Sequence, residues 1–463
     1  MATAGCVSRV GREARDEYDE AHTGRIYTYE GTKLAPGNTG VGDDAVQAYN
    51  YRVTVTNDPE NRVLPERPPN YDRSEYRAFF EEREERNEFW TAWSIDEAPT
   101  ERLAHPHCGD YLDADFETIA EEGLAGVFRL TGVPNRKGDL DTADILGAAE
   151  EYPEAGPETR QAIACRHREH ALGLLHFLQN DEEVPEAARE RAREWGLPAD
   201  EFEDTGNFPW QLYVREARRL VGRYVFTEND AELAPGIERA PIHADAVATA
   251  EYDMDSHECR PVRRPGSCGE GAFNLYDVTV PSQIPYGTIL PEEYDNLVVP
   301  VTTSATHVGF ATIRMEPTWM HLGEVAGLAA ALGDERDRPP ADLDVTDLQH
   351  ELLDRGGMLA LFGDTDVADE EQWVEAVQQC ATRGFFYSYD ARPTDALDRT
   401  TAREWAATTA AWLDGERDPT AQRVAVRSRQ SSSVVRNRSS TPRISLSGSV
   451  ARFSTSWGSA SRS

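Results

Sequence analysis

The segment EYDMDSHEC, at residues 251–259, places side chains that handle protons or bind metals at every second position. Asp255, His257 and Cys259 share one face if the segment is extended, because side chains alternate along a strand. Three candidate ligands with no fourth ligand nearby are weak evidence for a metal ion, so we expect no metal site in the chain. An imidazole paired with a carboxylate is a common carrier of protons in catalysis. We therefore interpret Asp255 and His257 as a candidate acid–base pair.

A second group of polar side chains lies in a loop that directly precedes a helical pattern. The loop contains Ser304, Thr306, His307 and Arg314. A helix N-terminus presents free N–H groups and a partial positive charge, and Arg314 adds a full positive charge. Negative charge on a ligand would be stabilised there, so the sequence predicts an anion-binding pocket at this loop.

A strand and a helix must position this loop. Residues 296–301 (NLVVPV) are apolar on both faces and are bounded by turn residues, which is typical of a buried parallel strand. Pro317 is tolerated only in a first turn, so the sequence predicts a helix over residues 317–332.

One face of that predicted helix carries only very small residues, namely Gly323, Ala326, Gly327, Ala330 and Ala331. A glycine in a helix interior costs about 1 kcal/mol relative to alanine, and this helix contains two of them. The face indicates a close approach by a strand, another helix or a flat ligand. Tight helix packing alone explains it equally well.

Periodic patterns predict the other elements of a chain that alternates between strands and helices. Apolar residues at helical spacing predict helices at residues 12–22, 77–93, 157–180, 186–195, 211–225, 345–355, 370–382 and 400–413. Runs with a period near two predict strands at residues 25–30, 46–56, 246–254 and 274–280.

Composition excludes several classes of partner. The 463 residues carry a formal charge of −36, which repels phosphate backbones and anionic lipids, so we expect neither nucleic-acid nor membrane partners. No apolar run approaches the length of a membrane span and no signal peptide is evident, so we expect a cytoplasmic protein. Only two of the 47 cationic residues are lysines, and this acidic, lysine-poor composition is typical of a halophilic microbe. Residues 421–463, rich in Ser and Arg, are predicted to be a disordered tail.

Eight sequence blocks, taken in order, carry a resemblance to a known family. They are VGREARDEYDE, GDDAVQAYNYRVTVT, HALGLLHFLQND with VPE, PWQLYVREARRLVGRYVFTEND, YDMDSH, IPYGTILP, NLVVPV and SATHVGFATIRMEPTWMHLGEVAGLAAAL. Together, over residues 3–415, they resemble the FAD-dependent oxidoreductases that are often labelled xanthan lyase or grouped with heterodisulfide reductase A-like flavoproteins. As a set these blocks are highly specific, although no single block is.

The resemblance implies an α/β fold in which a glutathione-reductase-like FAD-binding domain is split by an α+β substrate domain, with a helical C-terminal part. The implied boundaries are 1–24 for the remnant of a first FAD-binding segment, 25–285 for the substrate domain with a helical insertion at 157–231, 286–335 for the second FAD-binding segment, 336–420 for the helical region and 421–463 for the tail. No G-x-G-x-x-G turn, which binds the FAD pyrophosphate in such proteins, occurs in the sequence. We therefore expect the FAD-binding domain to be truncated at its N-terminus.

The resemblance also implies which residues contact FAD, the expected cofactor. The implied cofactor-binding residues are Thr303, Ser304, Thr306, Arg314, Met315, Glu316 and Gly323. Arg314 and the helix start would stabilise the negative charge of the reduced flavin ring. Asp255, His257 and His307 become candidates for moving protons, with Arg314 as the fourth candidate catalytic residue.

These observations predict an oxidoreductase that transfers a hydride from an unidentified small-molecule substrate to flavin, with an unidentified electron acceptor. Two other hypotheses stay open. In the first, the chain is an inactive truncated remnant or a substrate domain that needs a separate dinucleotide-binding chain. In the second, it is a carbohydrate lyase. The spacing of the Tyr, His and Arg residues does not favour a lyase over flavin chemistry.

Overall fold

The structure, a computed structural model, describes residues 4–24, 40–76, 119–121, 123–126, 130–141, 144–264, 267–368, 371, 373–415 and 418–421. Its α-helices include α1 Arg15–Tyr18, α2 Pro157–Asn180, α3 Glu186–Ala192, α4 His307–Ile313, α5 Glu316–Arg336, α6 Val345–Asp354, α7 Val374–Ala381 and α8 Arg399–Leu413. Its strands include β1 Ser8–Arg9, β2 Arg52–Thr56, β3 Arg62–Val63, β4 Leu130–Val133, β5 Lys137–Asp141, β6 Leu197–Pro198, β7 Arg219–Leu220, β8 Ala246–Ala250, β9 Asp255–Ser256, β10 Arg260–Arg264, β11 Ser267–Glu270, β12 Phe273–Asn274 and β13 Ser282–Pro285. In these ranges, every helix is too short or too polar to cross a bilayer.

The strands form several small sheets rather than one large sheet. A three-stranded sheet has the order β2–β5–β4, and the other named strands pair two by two. Each of these pairs is antiparallel. Parallel contacts among the described residues are isolated bridges, such as the bridge from Leu220 to Ser304. The fold is therefore mixed α and β.

Helix α2 and the three-stranded sheet enclose one hydrophobic core. Pro157 lies in the first turn of α2, where its missing N–H costs nothing, and the helix continues to Asn180. Leu174, Phe177 and Leu178 on its buried face belong to the same apolar cluster as Val53 of β2. Burial of each such side chain contributes about 1.5–3 kcal/mol. The predicted helix over residues 157–180 is confirmed.

A second core lies under α4, α5 and α6 and contains residues of the antiparallel pair of β8 and β13. Leu322, Val325, Ala329 and Leu332 of α5 are buried at helical spacing and join Ile284 of β13 in one apolar cluster. The helices predicted at 317–332, 345–355 and 400–413 are confirmed as α5, α6 and α8.

Two predicted elements are wrong. Residues 296–301 form no strand, because Pro300 has no N–H to donate to a β-ladder and the neighbouring residues make only isolated backbone hydrogen bonds. Val299 N, for example, donates to Ile289 O at 2.8 Å, and Ser304 N donates to Thr288 O at 2.8 Å. The predicted parallel strand is replaced by an irregular segment.

The predicted helix over residues 211–225 is also wrong, because this segment is irregular apart from β7. Two arginines of this segment are buried by contacts with distant backbone instead of lying on the polar face of a helix. Arg215 donates to the carbonyl oxygen of Ala48 at 2.6 Å, and Arg219 donates to that of Ala305 at 2.9 Å. Tertiary contacts, not an amphipathic face, set this pattern.

Other predicted elements are shorter than expected. The helix over residues 12–22 is reduced to α1, and the strands over 246–254 and 274–280 are reduced to β8 and the end of β12. The strand at 25–30, the helix at 77–93 and the tail beyond residue 421 lie outside the described residues.

Candidate functional site

A cavity of about 420 Å³ lies where β9 and the start of α5 face the ends of β2 and β5. Its walls carry charged groups of both signs and two tyrosines. The lining residues are Arg52, Asp139, Tyr213, Arg215, Tyr252, Asp255, His257, Arg314, Met315 and Glu316. The cavity therefore collects polar residues from both predicted groups, one in residues 251–259 and the other in the loop before α5.

An extended segment brings Asp255 and His257 to the cavity together. Asp255 and Ser256 form β9, which pairs with β12 in an antiparallel register. Because side chains alternate along such a segment, residues two positions apart face the same side. Cys259 also follows this spacing, but its side chain is fully buried and is not part of the cavity wall.

The carboxylate partner of His257 is Asp144, which corrects the predicted pairing with Asp255. His257 Nδ1 lies 2.6 Å from Asp144 Oδ2, and Arg215 Nη1 lies 3.0 Å from Asp144 Oδ1. Burial alone would raise the pKa of Asp144, but the charge of Arg215 and the hydrogen bonds from Arg215 and His257 lower it to about 2. An ionised carboxylate at Nδ1 holds a proton on that atom, so Nε2 is the imidazole atom that exchanges protons.

Asp255 instead holds Arg314 at the cavity wall. Arg314 Nη2 donates to the backbone oxygen of Asp255 at 3.1 Å and to its carboxylate at 3.2 Å. The Tyr252 hydroxyl donates to the same carboxylate at 3.3 Å, and the guanidinium carbon of Arg314 lies 5.8 Å from the Tyr252 ring centre. This clamp fixes the position of a positive charge that is only 4% exposed.

The segment 303–307 lies behind the cavity rather than on its wall. Ser304 Oγ accepts a hydrogen bond from Gly222 N at 2.9 Å. Thr306 Oγ1 accepts one from Gly309 N at 3.0 Å and so caps the start of α4. These side chains and Thr303 are fully buried. The predicted cofactor loop therefore divides into residues at the cavity, which are Arg314, Met315 and Glu316, and buried residues behind it.

His307 is buried in a network of charges and does not line the cavity. Its Nδ1 lies 2.7 Å from Glu216 Oε2, and its backbone N–H donates to Glu13 at 2.8 Å. Burial and the nearby charges of Arg219 and Arg12 lower the pKa of His307 to about 3. Its ring is therefore neutral at pH 7 and forms part of the protein interior.

The small-residue face of α5 is open in the described part of the chain. Gly323 and Gly327 are both exposed, and a methyl group added to either would meet no atom within 4 Å. The predicted tight packing of this face is therefore wrong for the described residues. They contact α5 on its opposite, buried face.

Two features of the cavity wall fit the flavin end of FAD. Arg314 Nε is buried and has no hydrogen-bond partner in the structure. Helix α5 begins after Met315, which supplies no side-chain cap, and Pro317 follows in its first turn. A buried donor without a partner and an uncapped helix start both stabilise negative charge on a bound group.

Sequence reasoning missed Asp144 and Arg52. Asp144 orients His257, and Arg52, whose guanidinium donates to Asp139 at 3.0 Å, lines the cavity. No local motif marks these residues, because each reaches the site from a distant part of the chain.

Comparison with known proteins agrees with this chemistry. The family model described as FAD dependent oxidoreductase matches residues 1–352. The chain therefore belongs to the FAD-dependent oxidoreductase family. This family binds FAD, so FAD is the cofactor that the site has to be tested against. No curated protein and no solved structure shows significant similarity to the chain.

Proposed function

We propose that the protein is an oxidoreductase that removes a hydride from a small-molecule substrate in this cavity, with FAD as the hydride acceptor and an unidentified final electron acceptor. One observation carries the proposal. The same cavity has His257, backed by Asp144, on one wall and Arg314 with the uncapped start of α5 on another. A proton acceptor and a stabiliser of negative charge thus face a common space. FAD, when bound, supplies the hydride chemistry itself.

His257 takes the proton in this proposal. Oxidation of a hydroxyl or amino group by hydride loss also requires loss of a proton, and a neutral imidazole accepts it at Nε2. Asp144 keeps Nδ1 protonated and stabilises the imidazolium that results. Because Arg215 holds Asp144 ionised, the pair is ready for proton transfer in the resting protein.

Arg314 and the start of α5 are the proposed residues for the flavin ring. Met315 and Glu316 form the adjoining wall of the cavity, and Asp255 with Tyr252 holds the guanidinium in place. A fixed positive charge needs no reorganisation when negative charge develops on a bound group. Thr303, Ser304 and Thr306 are buried and do not line the cavity. We propose that the open face at Gly323 is covered when the cofactor site is complete.

The proposed fold is the glutathione-reductase-like arrangement, with the domain boundaries that the family resemblance implies. Because the sequence contains no G-x-G-x-x-G turn, we propose that the FAD pyrophosphate is held by a βαβ unit that is not among these 463 residues. Such a unit would lie either on the same polypeptide or on a separate chain.

The test is substrate-dependent bleaching of FAD without oxygen. The protein is mixed with FAD and screened with small alcohols, hydroxy acids, amines and sugars, while the visible flavin absorbance is followed. Bleaching by one substrate class, abolished in His257→Gln, supports the proposal. Formation of an unsaturated sugar product without FAD would instead identify a lyase, and absence of both reactions would identify an inactive remnant or a substrate domain that needs a separate dinucleotide-binding chain.

A further inference from the structure

A group of metal-ligating side chains lies outside the cavity and takes no part in the proposed reaction. His22, Glu228 and Glu232 each place a nitrogen or oxygen atom within 4.8 Å of the other two. Glu228 begins a short 3-10 helix, and Glu232 follows four positions later. His22 comes from a segment 206 residues away in the sequence. Their proximity is therefore a product of the tertiary fold.

These side chains are held firmly in place. His22 N donates to Glu228 Oε2 at 3.0 Å, and the His22 imidazole Nδ1 contacts the other oxygen of the same carboxylate. Glu20 adds a third carboxylate, whose Oε1 accepts hydrogen bonds from Glu228 N at 2.8 Å and from Thr306 Oγ1 at 2.5 Å. His22, Glu20 and Glu228 are at most 5% exposed, so the cluster is preorganised rather than assembled from mobile surface groups.

The cluster has an excess of buried negative charge and of unused ligand atoms. His22 Nε2 and Glu20 Oε2 are buried and have no hydrogen-bond partner in the structure. Glu232 brings a further carboxylate oxygen within 4.8 Å of the ligand atoms of His22 and Glu228. Neighbouring carboxylates must share a proton or a cation. A cation bound between His22, Glu228 and Glu232 would offset this excess of negative charge.

We propose that His22, Glu228 and Glu232 bind one divalent transition-metal ion. One nitrogen and two carboxylate oxygens suit Zn²⁺, Mn²⁺ or Fe²⁺. Ligand atoms of a tetrahedral site with bonds of about 2.0–2.2 Å lie roughly 3.4 Å apart, so small rotations of these side chains suffice. Glu232 is partly exposed and provides a path for the ion from solvent.

The ion would join two distant segments at the rear of the cavity. It would fix His22 to the 3-10 helix that starts at Glu228, and Glu20 connects this helix to Thr306 at the start of α4. The role is structural, because none of these residues lines the cavity. The proposal does not depend on flavin chemistry and can fail or succeed independently of it.

Cobalt binding tests the proposal. The full chain is stripped of metal with a chelator and titrated with Co²⁺, whose visible absorbance reports nitrogen and oxygen ligands. Wild type is expected to bind one Co²⁺ per chain, and Zn²⁺ is expected to displace it. Glu232→Gln keeps the shape of a partly exposed side chain and is expected to weaken Co²⁺ binding by about tenfold or more.

His350→Gln is the matched control, because His350 lies 3.0 Å from Glu375 in an exposed His–carboxylate pair. This control is expected to bind Co²⁺ like wild type. His22→Asn is a second variant, used once circular dichroism shows that it is folded, and it is expected to lose the bound Co²⁺. Absence of saturable Co²⁺ binding by wild type, or equal affinity in Glu232→Gln, would overturn the proposal.

Discussion

His257 Nδ1 lies 2.6 Å from Oδ2 of Asp144, although the two residues are 113 positions apart in the chain. Asp144 also binds Arg215, and its pKa is lowered to about 2. An imidazole that is oriented by an ionised, buried carboxylate and opens onto a cavity has the arrangement of a general base. The proposed proton transfer depends on this pair.

Replacing His257 with glutamine is expected to slow flavin reduction by about 100-fold or more, because general bases contribute about 10²–10⁴ in rate. The measurement is the anaerobic rate of flavin bleaching with the substrate found in the screen. His321→Gln is the control, because His321 is 24% exposed against 23% for His257 and also lies beside a carboxylate, Glu324. Equal rates in the His257 and His321 variants would exclude His257 as the base.

Replacing Asp144 with asparagine tests the orienting role separately. An amide cannot hold the proton on His257 Nδ1 as a carboxylate does, so the bleaching rate is expected to fall while binding of substrate changes little. The variant also removes the carboxylate charge of Asp144 from beside the buried guanidinium of Arg215, which costs about 3–5 kcal/mol. Both the rate and the free energy of unfolding are measured. A variant that is destabilised yet bleaches flavin at the wild-type rate would show that the contact is purely structural.

Stability is expected to fall in acid because of His307. The ordinary pKa of this side chain is 6.5, and burial, Arg219 and Arg12 lower it to about 3 in the folded protein. The unfolded chain therefore binds the extra proton first as the pH falls. The contribution of neutral His307 to stability is complete above pH 6.5 and is lost progressively between pH 6.5 and about 3.

His307→Gln removes that proton, so its free energy of unfolding is expected to decline less steeply over the same range, by up to about 1.4 kcal/mol per pH unit. Denaturant unfolding at several pH values measures both slopes. The comparison isolates His307 from other buried histidines, which are present in both proteins. Identical slopes would contradict the burial of a neutral imidazole at this position.

Replacing two helical glycines with alanine is expected to change the stability of the protein in opposite directions. In Gly327→Ala the new methyl group meets no atom within 4 Å, so the better helix propensity should stabilise the protein by about 1 kcal/mol. In Gly309→Ala it would lie 2.5 Å from the Phe226 carbonyl oxygen, and the variant should be destabilised. Unfolding is measured without FAD. Destabilisation by Gly327→Ala would show that the small-residue face is covered.

The sequence predicted those parts of the fold whose local pattern and burial agree. Pro157 and a leucine stripe define α2, and Pro317 defines the start of α5. The segment 296–301 was predicted wrongly because an apolar run does not show whether a segment pairs with a neighbouring strand. Pro300 has no N–H to donate, and the segment makes single backbone hydrogen bonds instead of a ladder. The segment 211–225 was predicted wrongly because apolar spacing does not reveal the contacts of Arg215 and Arg219 with distant carbonyl oxygens, which hold the segment in an irregular form.

The site, like the fold, was predicted from the sequence only in part. Alternation along an extended segment predicted that Asp255 and His257 share one face, and both line the cavity together with residues at the start of α5. The partner of His257 was not predictable, because Asp144 lies far away in sequence and carries no motif. Its closeness in sequence suggested Asp255 as the partner of His257, but the carboxylate of Asp255 accepts a hydrogen bond from Arg314.

Binding of FAD at Arg314 tests the proposed cofactor site most directly. The purified chain is titrated with FAD, and the bound fraction is followed by quenching of flavin fluorescence in wild type, Arg314→Ala and Arg336→Ala. Arg336 is the control, because it lies at the opposite end of α5 and likewise contacts an aspartate, Asp347. We predict saturable binding that Arg314→Ala weakens by about tenfold and Arg336→Ala leaves unchanged. Equal affinity for FAD in all three proteins would contradict the proposed role of Arg314, whereas absence of FAD binding by all three would show that the chain needs the separate pyrophosphate-binding unit.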